Sequence, residues 1–459
     1  MRQPVAGSAQ KSVTRRAVFA YGTVGVSALG TGALGIACAG PGADGANTPQ
    51  TLQPTTIEVL HEFGPQGDNG QALQQIVERM RTLAPNLTIK STVTSGDSWP
   101  VMLTMLAAGT PPDVSETFVA NAASLGAKRI AEPLQMLLKS AKDWRPDDYF
   151  NGAREAFTYR GDFVLAPMFT APMAVAVNQQ MVNQASLKLP TATWTWDDFT
   201  SMAMRMTQRS SGETKVYGAQ MPTGNGYQAM NFFGGPLWSH GGDWANRATG
   251  KLTFQEAPGI AALEMWVDVA LKQQAAPTVR PEAWAGLEGS PFANGLVAMA
   301  FIASPAVRRY VRDAASFPWT TALMPRQKQQ GSHFYAHGFF VLRDGKQKAG
   351  AGEFVRLVSL PQHVALWNEI AFGMPTRKSA AALKEWQDHL RANPQLGPFN
   401  DSSRFMRAYP TIAGWNEASQ GAEGIGQAIW DAVQGKMAPR PALEEAARRA
   451  EAFFAEQPK

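Results

Sequence analysis

Six histidines, at positions 61, 240, 333, 337, 363 and 389, and a single cysteine, Cys38, are the residues most apt for metal or nucleophilic chemistry. Their spacing supports neither. No HExxH and no CxxC occurs, so no metal site is expected. There is no P-loop and no GxSxG, and neither a catalytic residue nor a cofactor is assigned. Glu62 and Glu116 fall at the ends of expected strands and could be imagined as a glycosidase pair. That chemistry needs two carboxylates at a fixed separation, one with a raised pKa. The sequence carries neither property, and a hydrolase is the least favoured reading. Aromatic residues point elsewhere. There are 13 Trp, all from Trp99 onward. Most must pack inside, but a surplus also suits a site that stacks flat, weakly charged ligands.

Such a site has to be held by folded elements, and the chain has room for them. With 459 residues, 44% of them hydrophobic, it can build two lobes, since single cores stop growing near ~250–300 residues. Residues 1–37 carry Arg2, Lys11, Arg15 and Arg16 and no acid, which leaves the rest of the chain close to neutral. Nothing clusters Lys and Arg as a nucleic-acid footprint would require, so no nucleic-acid partner is expected.

The first elements read as strand, helix, strand, helix, strand. Ile57 to Phe63 is a short strand, turned by Gly64-Pro65-Gln66-Gly67. Asp68 or Asn69 caps a helix with Leu73, Ile76, Val77 and Met80 at helical spacing. Leu87, Ile89, Ser91 and Val93 alternate as a second strand. Val101, Met102, Met105 and Leu106 mark a helix stopped by Gly109, and Asp113 to Thr117 is a third strand. In such β-α-β units, ligands sit beyond the carboxyl ends of the strands, here near Phe63, Ser95 and Glu116. Asp162 to Asn178 is apolar but holds Pro167 and Pro172. A buried strand with two prolines must kink or change sheets, so this stretch is expected to cross between two lobes. A helix opens at Trp196, and another runs from Ala257 to Gln273 with Trp266 on its buried side. Residues 221–244 mix Gly with Trp238 and Trp244, as an irregular loop or a cleft wall. Ala298 to Ile302 is a buried strand, His333 to Leu342 crosses back, residues 348–372 give two helices, and a helical C-terminus begins at Pro441.

The N-terminus reads as an export signal over residues 1–38. Arg15-Arg16 precedes an uncharged, glycine-heavy run from Ala17 to Ala37, the pattern of a twin-arginine signal rather than a membrane span. Leu34-Gly35-Ile36-Ala37-Cys38 resembles a bacterial lipobox, making Cys38 the expected lipidation site. Residues 39–55 are a flexible tether of Gly, Pro, Ala and Thr.

A family resemblance rests on six motifs in order. Leu103 to Val114 (LTMLAAGTPPDV), Ile130 to Leu134, Gly161 to Asn178, Leu189 to Phe199 with its TWTWDDF ending, Phe292 to Met299 and Gly373 to Arg377 each match a segment of one family. Together they resemble the extracellular solute-binding proteins of the ABC-transporter sugar type, of maltose-binding architecture. The likeness spans about residues 56–455. It implies an α/β fold of the type II periplasmic-binding kind: two lobes joined by hinge strands, with a cleft between. The first lobe would be 56–166 with 336–378, and the second 167–335 with 379–459. It implies carbohydrate captured in the cleft and delivered to an ABC permease by a monomeric protein, anchored by lipid to the outer face of the cytoplasmic membrane.

Site residues follow from that frame. Phe63 would stack, Gln66 and Ser95 would bond hydroxyls, and Glu116 would accept from two of them. Phe169 belongs to the hinge, and Trp238, Ser304 and Trp415 would come from the second lobe. His337 lies in YAHG, where the family has a Gly-rich returning hinge near the ligand. Arg377 is expected to meet a surface carboxylate. Relatives often carry Trp after the strand matched by Ala298 to Ser304, where this chain has Pro305, so the sugar itself stays open. Two other readings are a non-sugar solute, such as glycerol phosphate, a polyol or a peptide, and an enzyme on the same fold.

Overall fold

A computed structural model describes residues 52–220, 226–284, 287, 290–312 and 316–456. The export signal, Cys38 and most of the tether lie outside the described residues. Among those residues no helix is long and apolar enough to cross a membrane.

The expected opening is present. Strand β1 (Thr55–His61) leads to α1 (Asp68–Leu83), β2 (Leu87–Val93), α2 (Ser98–Ala107) and β3 (Val114–Phe118). β1 pairs in parallel with both β2 and β3. α1 buries Leu73, Ile76 and Met80, the stripe its spacing requires. It begins at Asp68 with Gly67 as its cap, so neither Asp68 nor Asn69 fills the capping position. A Cβ on Gly70 would fall 1.9 Å from the carbonyl oxygen of Gly64, so only glycine lets the helix start this close to its turn.

The crossing stretch forms β4 (Ala166–Asn178), 13 residues with every one buried. The rest of the sheet is built around it. α3 (Trp196–Met206) opens with a capping box between Thr195 and Asp198. β5 (Glu213–Gln220) and α4 (Gly226–Ser239) follow, then α5 (Ala257–Val267), β6 (Val297–Ala303), α6 (Pro305–Arg312) and β7 (Trp319–Ala322). The chain returns through β8 (Ser332–Val341), α7 (Lys348–Val358), α8 (Pro361–Ala371) and β9 (Met374–Pro375). A long C-terminal helix, α9 (Pro439–Ala455), starts two residues before its expected Pro441. An eleven-stranded sheet runs β2-β1-β3-β8-β4-β6-β5 and ends on the short strand Gln208–Ser210.

Residues 221–244 were open to reading as a loop. Of those described within them, Gly226–Ser239 instead form the largely buried helix α4, which carries Pro236 inside it. Its glycines serve packing: a Cβ on Gly234 would meet the Trp238 ring at 3.0 Å. α5 continues as a turn of π-helix from Asp268 to Lys272.

Side chains segregate into distinct cores along β4. Residues up to Ala171 join a core with Val59, Leu73, Phe339, Phe354 and Trp367. Met173, Val175 and Val177 join a second with Trp196, Phe233, Trp238 and Trp266. Ala174 and Ala176, on the opposite face, join a third with Ile302, Tyr310 and Trp386.

Candidate ligand-binding cleft

The site begins with a row of three side chains on one face of the sheet. Cross-strand pairing sets Phe118 of β3 opposite His337 of β8, and His337 opposite Phe169 of β4. The imidazole is thereby held between two phenyl rings, with centroids 3.9 Å away on the Phe118 side and 5.3 Å on the Phe169 side. Two residues along, Tyr335 pairs with Ala171 on the same face. Phe169, Ala171, Tyr335 and His337 floor a cavity of about 430 Å³. One wall is Asp68 and Asn69 at the start of α1, with Phe118. The facing wall is Ala303, Pro305, Ala306 and Arg309, the end of β6 and the face of α6. Elements of the first core and of the second and third therefore meet across one space.

Under that floor lies a cluster of titratable groups. Nδ1 of His337 bonds to Oε1 of Glu116, and Oε1 of Glu62 lies 4.0 Å from the same nitrogen. Ser98 Oγ donates to the Glu116 carbonyl at 2.6 Å and sits 3.3 Å from its carboxylate. Burial, then the charge of Glu116, raises the pKa of Glu62, and His337 opposes this. Burial lowers the pKa of His61, against the pull of Glu116. Among the described residues, Glu62, Glu116 and His337 also place one ligand atom each within 4.8 Å of one another, a donor set that could hold a cation. Spacing could not reveal it, because the three come from distant parts of the chain.

The expected site residues divide sharply. Phe169 and His337 line the cavity, and Glu116 supports His337 from beneath. Phe63 is 5% exposed and packs on His337, Phe339 and Trp367, behind the floor. Gln66 and Ser95 are exposed and do not line it. β1 stops at His61 rather than Phe63 and β2 at Val93, so both residues fall in the loops beyond. Ser98, three residues past Ser95, makes the contact to Glu116 instead. Trp238 is fully buried in the second core, where its Nε1 donates to Asp243 at 2.9 Å. Trp415 is buried in the same core against Trp244 and Tyr409. Ser304 is buried between the lining residues Ala303 and Pro305, and its hydroxyl has no partner among the described residues. Arg377 does meet a carboxylate, but inside the protein: it is 2% exposed and bonds Asp148 at 2.7 Å.

Sequence reasoning missed Phe118, Tyr335, Asp68, Asn69 and Arg309. The alternation of His333, Tyr335 and His337 was the available signal for Tyr335, since alternate strand residues share a face. A second cavity of about 440 Å³ lies by Asp243, Arg247 and Arg407. Its charges pair with one another, Asp243 to Arg247 at 3.2 Å and to Arg407 at 3.4 Å.

Comparison with known proteins agrees with this arrangement. The sequence profile described as bacterial extracellular solute-binding protein matches residues 64–365. No match was found among curated proteins. Similar solved structures include the ABC substrate-binding protein Lmo0181 from Listeria monocytogenes in complex with cycloalternan. It has TM-score 0.74 and 21% identity, covering 88% of this chain and 99% of that one. The cyclic alpha-maltosyl-1,6-maltose binding protein from Arthrobacter globiformis has TM-score 0.75 and 19% identity, with coverage of 88% and 100%. UgpB from Mycobacterium tuberculosis, in complex with glycerophosphocholine, has TM-score 0.73 and 17% identity, with coverage of 88% and 99%. These likenesses establish the fold as the type II periplasmic-binding architecture expected from the sequence.

Proposed function

The chain belongs to the bacterial extracellular solute-binding proteins, and from that premise we propose that it captures a carbohydrate, mono- or oligosaccharide, for an ABC importer. The observation that carries this is the cavity itself. It sits between separate cores, floored by rings and by a histidine that a buried glutamate holds in place. Rings stack on sugar faces, and a held polar group orients hydroxyls. The lobes of the reading are 56–166 with 336–378 and 167–335 with 379–459, hinged at β4, β8 and β9. Ligand touching both walls would favour the closed form by its differential contacts alone. Delivery to transmembrane permease subunits, a monomeric state and anchorage through Cys38 complete the proposal. Its family is one of binding proteins rather than enzymes, and no catalytic role is proposed.

A thermal-shift screen of sugars, polyols, phosphates and peptides tests it. A ligand at 100 times its dissociation constant should stabilise by about 2.7 kcal/mol. A response to peptides or polyols with none to any sugar would sink the carbohydrate reading in favour of the non-sugar one. Hydrolysis of a reporter glycoside, lost in Glu116→Gln, would argue for an enzyme. Fatty-acid labelling that persists in Cys38→Ser would refute the anchor.

A further inference from the structure

Asp68, His337 and Arg309 line the cavity, and the first two are already engaged. Asp68 pairs with Arg308 at 3.0 Å. Arg308 also donates to the Ile370 carbonyl and lies over the Phe372 ring. His337 gives Nδ1 to Glu116. Arg309, the next residue on α6, lines the same cavity, is exposed, and has no hydrogen-bond or ion-pair partner among the described residues. The walls around it, Ala171, Ala303, Pro305 and Ala306, offer no side-chain polar group.

The opposite group is better built. The His337 side chain is only 8% exposed and its ring is clamped between Phe118 and Phe169. A ring nitrogen bound to a carboxylate is the one that carries the proton, so Nδ1 donates to Glu116. Among the described residues Nε2 makes no hydrogen bond, and it is the polar atom this ring has left for a ligand. Glu116 and Glu62 face the imidazole from one side, with His61 beyond them on β1, and Asp68 and Arg309 border the same cavity.

We propose that the solute is a carbohydrate carrying one anionic oxygen group, a sugar carboxylate or a sugar phosphate, with the anion held by the Arg309 guanidinium and a sugar hydroxyl donating to Nε2 of His337. This rests on the carbohydrate reading above and narrows it. A planar guanidinium presents paired N–H donors that match either oxyanion. The Asp68–Arg308 pair leaves Arg309 as the uncompensated charge on the lining.

The test is calorimetry on matched sets: glucose with glucuronate and glucose 6-phosphate, and the corresponding disaccharides. An acidic member should bind at least tenfold tighter than its neutral counterpart at pH 7 and low salt, with the preference shrinking at high salt. The uronate and phosphate arms separate the two sources of the anion. Arg309→Gln should bring the acid-to-neutral ratio to within about twofold, and His337→Gln should weaken acidic and neutral members alike while leaving that ratio in place. Arg309 is on the surface, so the first variant is expected to fold, and circular dichroism checks both. Neutral members binding as tightly as acidic ones would overturn this proposal and leave the carbohydrate reading standing, as would a ratio unmoved by Arg309→Gln. If no sugar of either kind binds, the carbohydrate reading falls and takes this one with it.

Discussion

Arg377→Met should be among the most destabilising single changes outside the aromatic cores. Arg377 follows β9 and ties that part of the chain to its surroundings with the whole guanidinium. Nε meets Asp148 at 2.7 Å, Nη1 donates to the Ser359 carbonyl at 2.6 Å, and Nη2 donates to the Asp143 carbonyl at 3.1 Å. The Tyr149 ring lies 5.4 Å from the group. Methionine fills similar volume but leaves a part-buried carboxylate without its cation and two carbonyls without these donors. Breaking one side of a buried pair costs about 3–5 kcal/mol. The assay is urea unfolding at pH 7, with the midpoint shifting and the slope unchanged. Asp148→Asn and the double variant complete a cycle whose interaction energy should exceed about 1 kcal/mol. The pH dependence has a definite sign. Burial would raise the Asp148 carboxyl, but hydrogen bonds from Ser379 and Arg377 outweigh it and leave the pKa lowered. A lowered folded pKa means the contribution is full above the unfolded value of about 3.9 and is lost as pH falls through the folded one. Wild type and Asp148→Asn should therefore converge only below about pH 4. A cost under about 1 kcal/mol for Arg377→Met would return the pair to the class of exposed ion pairs and refute the argument.

Other expectations are briefer. His333 is buried with its pKa pushed down to about 3, so it folds neutral. The unfolded chain binds a proton below about 6.5, so stability is lost as pH falls from there, by about 2 kcal/mol at pH 5. His333→Phe should remove that loss, and equal urea midpoint shifts between pH 7.5 and 5 in both proteins would contradict it. Trp238→Ala should cost about 3–5 kcal/mol as a core deletion, with ligand affinity held in the folded fraction. A large affinity loss at unchanged stability would put Trp238 in the cleft after all. Glu116→Gln removes the charge that holds His337, and a charge-assisted bond of ~1.5–3 kcal/mol converts to roughly a 10- to 150-fold loss in affinity by calorimetry. A loss under about threefold would show that His337 needs no such support. Gly338→Ala would bring a Cβ to 2.8 Å from the Ala166 carbonyl and 2.9 Å from the Phe157 ring. About 1–3 kcal/mol of strain should appear in the same unfolding assay, and an unchanged midpoint would mean the strands part without cost.

The first half of the sheet was legible because periodicity and punctuation agreed. In α1 the residues Leu73, Ile76 and Met80 share one stripe, and Gly and Pro bracket each element. α4 was less legible because Gly234, Gly235 and Pro236 are loop signals taken alone. In the fold Gly234 and Gly235 allow close approach to Trp238 and Met324. At the site, a patterned strand end pointed to Glu116, while Phe169 and His337 came from the segments expected to cross between the lobes. The tryptophans misled for a plain reason: a stacking platform and a core anchor are the same residue type. Only burial separates them, and Trp238 and Trp415 are buried. Arg309 had no signal at all, since a surface arginine on a short helix looks the same whether or not a cavity opens beside it.

The two prolines of β4 explain why the cavity lies where it does. Proline has no N–H to give a ladder, so a strand carrying it is free to change partners there. Between Phe169 and Pro167 the register against β8 slips by one residue, at His337 and Gly338. At Met173 the backbone N–H goes to the Ser332 hydroxyl at 3.1 Å, and from there β6 becomes a neighbour. The Pro172 carbonyl accepts from Ser304 N–H at the point where β6 ends and α6 begins. Phe169 and Ala171, the two floor residues on β4, are the alternate positions between those prolines. They lie where the strand passes from the first core to the others. The same two breaks in hydrogen bonding let one strand serve separate cores, and the cavity opens over the stretch between them. A groove is the geometric result, and Pro172→Ala, which restores a donor there, should narrow the range of interlobe angles seen in solution scattering. An unchanged profile with and without ligand would mean that the bend is set elsewhere.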